Sequence, residues 1–238
     1  MKICAISDLH GRVDLSELKI KADVLCIAGD FIPLYIQRNI PKSIEWINSE
    51  FIPWLNKLDV KCVLLIAGNH DFICSYDTNF KNLFIGTKIH YLEDSSFEYI
   101  DDNGNSILFY GTPWCHQFGN WAFMASDEFI KNKYEKIPNN IDILITHDPF
   151  SLGTVGTIQK GYYTGEQAGN KVLTDTIIHL ENPPKIVFSG HIHTGNHNLD
   201  TFSIANKDGK VNTIKFMNVS LLNEDYNHVY DPAYIDYK

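Results

Sequence analysis

The chain has 238 residues, with 20 lysines and arginines against 29 aspartates and glutamates, which gives a formal net charge of −9. Such an acidic balance argues against a protein that binds long nucleic acid, because that binding needs a basic surface to neutralise the phosphates. It does not exclude a small phosphorylated substrate, since bound divalent cations can make a pocket locally positive on an acidic protein.

The hydrophobic content of 44% is ordinary for a globular protein, and we expect a single domain over residues 1–238. The N-terminus runs directly into a predicted strand and shows no signal-peptide pattern. No apolar run is long enough to span a bilayer. These features predict a cytoplasmic protein that does not act at a membrane, and they leave its oligomeric state open.

The five cysteines are an odd number, and three of them lie inside apolar, strand-like runs. No C-x-x-C pair is present that would indicate a zinc ribbon. We therefore interpret them as reduced cysteines that pack as small hydrophobic side chains. They are Cys4, Cys26, Cys62, Cys74 and Cys115.

Five short apolar runs rich in β-forming residues predict buried strands. In chain order they cover residues 3–7, 23–28, 60–67, 141–146 and 185–189. Helical segments are predicted between several of them. One begins at Pro41, with Pro53 kinking or dividing it, and another spans residues 170–180. Strands that alternate with helices indicate an α/β fold whose central strands are buried on both faces.

Two further segments have the pattern of a β-hairpin, in which two strand-like runs flank a polar, glycine-containing loop. The first joins residues 97–100 to residues 107–110. The second joins residues 201–204 to residues 211–217 across the loop 206–210.

Polar side chains follow each of the five buried runs at the point where the strand ends. If the strands are parallel, their carboxyl ends meet at one edge of the sheet, which is where α/β proteins bind ligands. A single strand-terminal aspartate is often only a helix cap, but five such groups in one register indicate a shared site. The groups are Asp8-Leu9-His10, Gly29-Asp30, Gly68-Asn69-His70-Asp71, His147-Asp148 and Gly190-His191-Ile192-His193.

These side chains offer carboxylate, carboxamide and imidazole ligands. A mixed oxygen and nitrogen set suits Mn, Fe or Zn better than Ca, which prefers oxygen alone. Seven ligands exceed one tetrahedral site and fit two divalent ions that share a carboxylate. We expect manganese, with Fe, Zn, Ni or Mg as alternatives. The predicted metal ligands are Asp8, His10, Asp30, Asn69, His147, His191 and His193.

His70 follows a predicted ligand, so it can face the substrate while Asn69 faces a metal. A histidine with a neighbouring carboxylate, here Asp71, is the arrangement expected of a proton donor to a leaving alkoxide. We therefore predict His70 and Asp71 as catalytic residues, against the alternative that His70 only makes local hydrogen bonds.

Together these motifs resemble the calcineurin-like metallophosphoesterase superfamily, whose pattern is D-x-H, G-D, G-N-H-[DE], an isolated H and G-H-x-H, in that order. The resemblance implies a four-layer fold, a β-sandwich of two mixed sheets flanked by helices. It also implies that the ligands divide into two metal sites that share Asp30, with His70 as the catalytic acid. The first site would use Asp8, His10, Asp30 and His193, and the second Asp30, Asn69, His147 and His191.

A finer resemblance is to a small single-domain branch that includes the animal metallophosphoesterase-domain-containing proteins, which implies hydrolysis of phosphodiesters such as cyclic nucleotides. Its motifs are Gly111-Thr112-Pro113-Trp114, Trp121-Ala122-Phe123 and Asn218-Val219-Ser220. The residues after His147 depart from the proline-rich loop of that branch, which leaves the substrate open.

Candidate substrate contacts are Arg12, Trp114 and His116. For each of them the alternative is an ordinary surface or packing role. Trp121 and Phe123 are interpreted as core residues. The glycine-rich segment 151–169 is either a lid or an ordinary surface loop.

The main hypothesis is a phosphodiesterase that hydrolyses a small substrate, such as a nucleotide or cyclic nucleotide, by attack of metal-activated hydroxide. A phosphomonoesterase or protein phosphatase would use the same metals. A metal-free, non-catalytic scaffold is the third alternative, and the complete ligand set argues against it.

Overall fold

The computed structural model describes residues 1–13, 18–205, 209 and 211–237. The strands, numbered in chain order, are β1 Lys2–Ile6, β2 Lys21–Ala28, β3 Asp59–Ile66, β4 Ile89–Tyr91, β5 Ser95–Ile100, β6 Ser106–Thr112, β7 Cys115–His116, β8 Met124–Ala125, β9 Ile143–Thr146, β10 Ile186–Ser189, β11 Asp200–Ala205, β12 Val211–Asn218 and β13 Ala233–Asp236. The α-helices are α1 Ile40–Trp46, α2 Ile52–Lys57, α3 Phe72–Tyr76, α4 Asp127–Tyr134 and α5 Lys171–Ile178.

Two mixed sheets form the centre of the molecule. The first has the order β13-β1-β2-β3-β4, in which only β13 runs antiparallel to its neighbour. The second has the order β11-β12-β10-β9-β6-β5, with a parallel centre and an antiparallel strand at each edge. The strands β7 and β8 form a separate small pair.

The central strands are buried on both faces because alternate side chains enter different hydrophobic layers. In β1, Ile3 packs between the two sheets, whereas Cys4 packs on the outer side of the first sheet. In β9, Ile143 packs between the sheets and Leu144 packs against the helices outside the second sheet. The resulting order of layers is helix, sheet, sheet, helix, which confirms the predicted fold class.

The five predicted buried strands are all present, but they belong to two sheets. The first three are β1, β2 and β3 of the first sheet, and the last two are β9 and β10 of the second. The expectation that all five polar groups share the edge of a single sheet is therefore wrong. They meet instead where the carboxyl ends of two stacked sheets adjoin.

The helix predicted from Pro41 is interrupted, as its second proline indicated. A π-helical turn over Ile47–Phe51 separates α1 from α2, and Pro53 occupies the first turn of α2. Pro53 thus directly follows the π-helical turn, where the hydrogen-bond pattern of the helix changes, as expected beside a residue that lacks a backbone N–H. The helix predicted over residues 170–180 is α5, whose start is capped by the side chain of Asn170.

Both predicted hairpins form, as antiparallel β5 with β6 and antiparallel β11 with β12. Most of the predicted loop 206–210 lies outside the described residues, which include only Gly209 of that loop. The cysteines are free and buried, as predicted. Within the described ranges, no helix is long and apolar enough to cross a membrane.

Candidate metal centre

The predicted ligands lie together at the carboxyl ends of the strands. Asp30 follows β2 of the first sheet, and His147 follows β9 of the second, yet their Oδ2 and Nε2 atoms are 3.3 Å apart. Asp30 Oδ2 also lies 3.7 Å from His10 Nε2 and 3.9 Å from His70 Nε2. One carboxylate therefore stands between imidazoles from three segments of the chain, which is the place expected of a shared ligand.

The backbone is strained where it presents these side chains. Asp8, His10, Asp30 and His191 have positive φ values of 55°, 42°, 54° and 69°. A non-glycine residue in this left-handed region costs about 1–3 kcal/mol and persists only where the surroundings impose it. Four such residues among seven predicted ligands indicate that the fold holds them in place for a function.

The glycine before each of three ligands allows the backbone to approach closely. A Cβ atom at Gly29, which has a φ of +96°, would lie 2.6 Å from His147 Nδ1. A Cβ atom at Gly68 would collide with Asp30 Oδ1, and one at Gly190 would collide with Asp8 Oδ2. No side chain is compatible with this approach.

The first predicted metal site forms a compact donor group. The ligand atoms of Asp8, His10 and His193 lie within 4.8 Å of one another, and Asp8 Oδ1 is 3.2 Å from His193 Nε2. His193 Nδ1 donates to the carbonyl of Asn223 at 3.0 Å, which leaves the Nε2 lone pair for a ligand. Both ring nitrogens of His10 are buried and have no hydrogen-bond partner among the residues that the structure describes. An unpaired buried imidazole fits a metal site, because a bound cation would supply a partner for one of its nitrogens.

The second predicted site is built in the same way. His147 Nδ1 donates to the carbonyl of Ala28 at 2.8 Å, so its Nε2 faces Asn69 Oδ1, 3.0 Å away, and Asp30. The ligand atoms of Asp8, Asp30 and His147 form another compact donor group. The residues present therefore fit two divalent cations.

His191 lies at the edge of this arrangement. Its ring centroid is 5.1 Å from that of His147, and its Nε2 is 3.7 Å from Asp148 Oδ1. Among the residues that the structure describes, it belongs to none of the compact groups of three donors. Its assignment to the second metal remains a prediction.

Burial and mutual charge determine how these groups hold protons in the absence of metal. Burial alone would raise the pKa of Asp8, but the hydrogen bond and charge of His193 hold it well below its usual value. The same opposition holds the pKa of Asp30 low, chiefly through the charge of His147. Burial would lower the pKa values of His147 and His193, yet their carboxylate neighbours raise them to about 10 and about 9.

Two other imidazoles lose their charge. Burial lowers the pKa of His10 to about 4, against the opposing charges of Asp30 and Asp8. It likewise lowers the pKa of His191 to about 4. Neutral imidazole is the form that binds a metal, so these two histidines are ready to act as ligands near neutral pH.

Asp71 does not contact the ring of His70, which corrects the pairing expected from their adjacency. Its buried carboxylate accepts backbone N–H bonds from Asp30, Phe31 and Ile32 after β2 and from Gly68 after β3, at 2.8–3.1 Å. It therefore ties together the two loops that carry Asp30 and Asn69. Both carboxylate oxygens accept hydrogen bonds from backbone N–H groups. These contacts are those of a residue that positions the loops, and a direct catalytic role for Asp71 stays a prediction.

The ring partner of His70 is Gln37, whose Oε1 lies 2.5 Å from His70 Nδ1. An amide oxygen can only accept a hydrogen bond, so Nδ1 is the donor and Nε2 faces Asp30. The indole of Trp121 lies beside the same ring, with centroids 4.5 Å apart. Trp121, predicted as a core residue, is half-buried and forms part of the site, whereas Phe123 is buried as predicted.

Trp114 is held in place by its neighbours, which supports the packing role named as the alternative to a substrate contact. Its Nε1 donates to Asp94 at 3.0 Å, Lys133 lies 4.6 Å from the ring centroid, and Phe123 and Phe129 pack against the ring. These neighbours pack around the half-buried indole. A contact between Trp114 and substrate stays a prediction.

Arg12 is exposed, and its Nη2 donates to the backbone carbonyl of Tyr226 at 3.1 Å. The ring of Tyr226 lies 5.0 Å from His10 and 5.5 Å from His193. Arg12 is thus placed at the rim of the centre, where a phosphate contact remains a prediction. Sequence reasoning missed Tyr226, which lies in no motif.

On another side of the centre, the ring of Phe118 is 54% exposed and 5.4 Å from that of His191. His116, the third predicted substrate contact, lies 5.7 Å from Phe118 and is held by Asp148 through Nδ1 at 2.8 Å. Sequence reasoning missed Phe118, Gln37 and the role of Asp148, because only the fold brings these segments to the metal ligands.

The glycine-rich segment 151–169 forms a loop that folds back on itself, with an antiparallel β-bridge between Thr157 and Gln167. It is tied to the loop that follows His193, since Gln159 N donates to Thr194 Oγ1 at 3.2 Å. Tyr162, close to its tip, is 94% exposed. These contacts place the segment beside the loop that carries a predicted ligand.

Comparison with known families agrees with this geometry. A family model described as calcineurin-like phosphoesterase matches residues 1–195. Metallophosphoesterase domain-containing protein 1 of Homo sapiens is 29% identical over 255 residues, which cover 99% of this chain and 70% of that protein. UPF0046 protein T07D4.2 of Caenorhabditis elegans is 28% identical over 268 residues, covering 99% of this chain and 60% of that protein.

A solved structure shares the fold. The crystal structure of TT1561 of Thermus thermophilus superposes with a TM-score of 0.51, covers 89% of this chain and 97% of that chain, and is 12% identical in sequence. At this identity the similarity is one of architecture. Together, these matches confirm the family resemblance that the sequence motifs predicted.

Proposed function

The chain belongs to the calcineurin-like phosphoesterase family, and from that premise we propose that it is a two-metal phosphodiesterase acting on a small substrate, such as a nucleotide or cyclic nucleotide. The observation that carries the proposal is the position of the Asp30 carboxylate among His10, His70 and His147. A shared carboxylate between two sets of imidazoles suits a pair of divalent ions.

The two sites would divide as the resemblance implies. Asp8, His10 and His193 with Asp30 would hold one ion, and Asn69, His147 and His191 with Asp30 would hold the other. Bound ions of this kind supply a water of lowered pKa and neutralise charge on the phosphoryl oxygens. We propose manganese as the native metal.

His70 is proposed as the proton donor to the leaving oxygen. Gln37 orients its ring through Nδ1, so Nε2 is the atom that faces the centre. The backbone N–H of His70 also donates to Asp30 Oδ1 at 2.8 Å, which fixes the residue relative to the shared carboxylate. A donor held in this way can act without reorganising during the reaction.

Aromatic rings support a substrate that carries a ring of its own. Phe118, Trp121 and Tyr226 lie beside His191, His70 and His10, so each borders a different histidine of the centre. Phe118 has the exposure needed for stacking on a nucleobase, a contact worth about 1–3 kcal/mol.

Turnover of model esters would test the proposal. With Mn²⁺ added, bis(p-nitrophenyl) phosphate is expected to be hydrolysed with a higher kcat/KM than p-nitrophenyl phosphate, and a panel of cyclic nucleotides would then define the substrate. Preference for the monoester would overturn the phosphodiesterase assignment in favour of a phosphomonoesterase. Absence of bound metal after purification, with no hydrolysis on adding Mn²⁺, would favour a non-catalytic scaffold.

A further inference from the structure

Asp148 is a fully buried carboxylate that holds one imidazole in place. Its Oδ2 accepts from the backbone N–H of His116 at 2.9 Å, from His116 Nδ1 at 2.8 Å and from Asn170 Nδ2 at 2.9 Å. Asn170 caps α5 and also donates to the Tyr134 hydroxyl of α4 at 3.1 Å. The position of the His116 ring is thus fixed by both helices outside the second sheet.

This arrangement leaves one nitrogen of His116 free. Because Nδ1 donates to the carboxylate, Nε2 is the atom available to a ligand. No described residue forms a hydrogen bond with His116 Nε2, and the His116 side chain is 30% exposed. A buried carboxylate behind a partly exposed imidazole is the arrangement of a histidine held ready to contact a substrate.

The His116 ring lies next to the metal centre. Asp148 Oδ1 is buried, has no hydrogen-bond partner in the described part of the chain, and is 3.7 Å from Nε2 of the predicted ligand His191. The Phe118 ring neighbours both histidines, 5.7 Å from His116 and 5.4 Å from His191. His70, by contrast, lies beside His10, so the two imidazoles neighbour different predicted ligands.

We infer that His116 is a second substrate-contacting imidazole, whose Nε2–H donates to a phosphoryl oxygen, and that Asp148 positions it. The inference rests on the proposed phosphoesterase function and adds a specific phosphate contact to it. The hydrogen bond to Asp148 raises the pKa of His116. This favours the doubly protonated ring, which carries an N–H at Nε2 as well as at Nδ1.

Two substitutions separate this function from a structural one. His116→Asn can keep an N–H directed at Asp148 but removes the atom at the Nε2 position. His116→Gln can place an N–H near the Nε2 position but loses the bond at Nδ1. The exposed His179, whose Nδ1 lies within hydrogen-bond distance of the carbonyl of Asp175 one turn earlier, provides the matched control His179→Asn.

Each variant would be loaded with Mn²⁺, its metal content measured, its hydrolysis of both nitrophenyl esters assayed, and its binding of inorganic phosphate measured by calorimetry. His116→Asn is expected to weaken phosphate binding and lower kcat/KM by about 10- to 100-fold, the loss expected for a hydrogen bond to a charged group. Metal content should be unchanged, and His116→Gln should recover most of the loss.

Wild-type phosphate affinity and turnover in His116→Asn, with losses only in His116→Gln, would overturn the inference, because that pattern belongs to a structural bond with Asp148. In that case ester hydrolysis by the wild type would leave the phosphoesterase function standing. A wild-type protein that neither hydrolyses these esters nor binds phosphate would overturn both proposals.

Discussion

Asp30 Oδ2 lies 3.3 Å from His147 Nε2, although the two residues follow strands of different sheets. The contact places the donor groups of both sheets around a single carboxylate. It also means that the centre depends on how the two sheets stack, because neither sheet carries a complete ligand set.

His70→Ala should retain the metals and lose most turnover. The substitution removes the imidazole but keeps the backbone N–H that donates to Asp30 Oδ1. Loss of a general acid lowers kcat by about 10²- to 10⁴-fold. Steady-state kinetics with elemental analysis would measure both effects, with the exposed His228→Ala as control. A His70→Ala enzyme with wild-type kcat would remove His70 from the reaction.

The Asp30→Asn variant should remain folded but bind less metal. The amide removes one oxygen ligand and the negative charge that would be shared between two ions. Elemental analysis is expected to find markedly fewer than two ions per chain. Asp59→Asn is the matched control, because the Asp59 side chain is 71% exposed and pairs with Lys21 on the surface. Full metal occupancy in Asp30→Asn would argue against a shared carboxylate.

Asp71→Asn should lower the free energy of unfolding by about 2–4 kcal/mol. In the native protein, buried backbone N–H groups donate to both oxygens of the Asp71 carboxylate. Asparagine replaces one oxygen with an NH₂ group, so some of these buried donors lose their acceptor. Urea denaturation would measure the change. If Asp71 instead served only to tune His70, stability would be unaffected and kcat alone would fall.

Gly68→Ala should destabilise the protein by about 1–3 kcal/mol, as expected for an overpacked interior, and reduce metal binding. Its Cβ atom would collide with Asp30 Oδ1 and lie 2.7 Å from His147 Cε1, so the loop must shift. Gly104→Ala is the control: it has open space but a φ of +81°, and should cost about 1 kcal/mol without changing kcat. Equal effects in both variants would show that the close approach at Gly68 is unimportant.

The paired groups of the centre should stabilise the metal-free protein most at mildly acid pH, where the contributions of His147, His193, Asp8 and Asp30 are all present. The pKa values of His147 and His193 are raised to about 10 and about 9, so their contribution is fully present below about 6.5 and is lost as pH rises through 9 to 10. The lowered pKa values of Asp8 and Asp30 give a contribution present above about 3.8 and lost as pH falls through their folded values.

Metal binding should reverse the alkaline part of this profile. A metal displaces the protons from His147 and His193, so the rise in Tm on adding Mn²⁺ should grow between pH 6 and pH 9. Thermal unfolding with chelator and with Mn²⁺ across that range would measure both trends. If the Tm increase on adding Mn²⁺ did not depend on pH, the metal would not be displacing protons from these two imidazoles.

The strand ends were predictable because buried parallel strands have a strong sequence signature and each is followed by a polar motif. The motifs could not reveal which sheet each strand joins, since burial on both faces looks the same in either sheet. They also misassigned the partner of His70. Adjacency suggested Asp71, but the turn after β3 directs that carboxylate into the backbone, and Gln37 from a distant segment takes its place.

The rim of the centre was the least predictable part. Phe118 and Tyr226 are single aromatic residues in irregular segments, where no periodicity marks their role. Trp114 lies in a recognisable motif, yet its neighbours turn it into a packing residue. Tertiary contacts decide which of several aromatic side chains lies beside the predicted ligands, and sequence spacing does not encode these contacts.

The most direct test is a metal titration of the chelator-treated protein, with hydrolysis of bis(p-nitrophenyl) phosphate followed at each step. A two-metal centre sharing Asp30 predicts no hydrolysis without metal and a rate that reaches its plateau at two Mn²⁺ per chain. Full activity in the chelated protein, or no hydrolysis of any phosphate ester at saturating Mn²⁺, would contradict it.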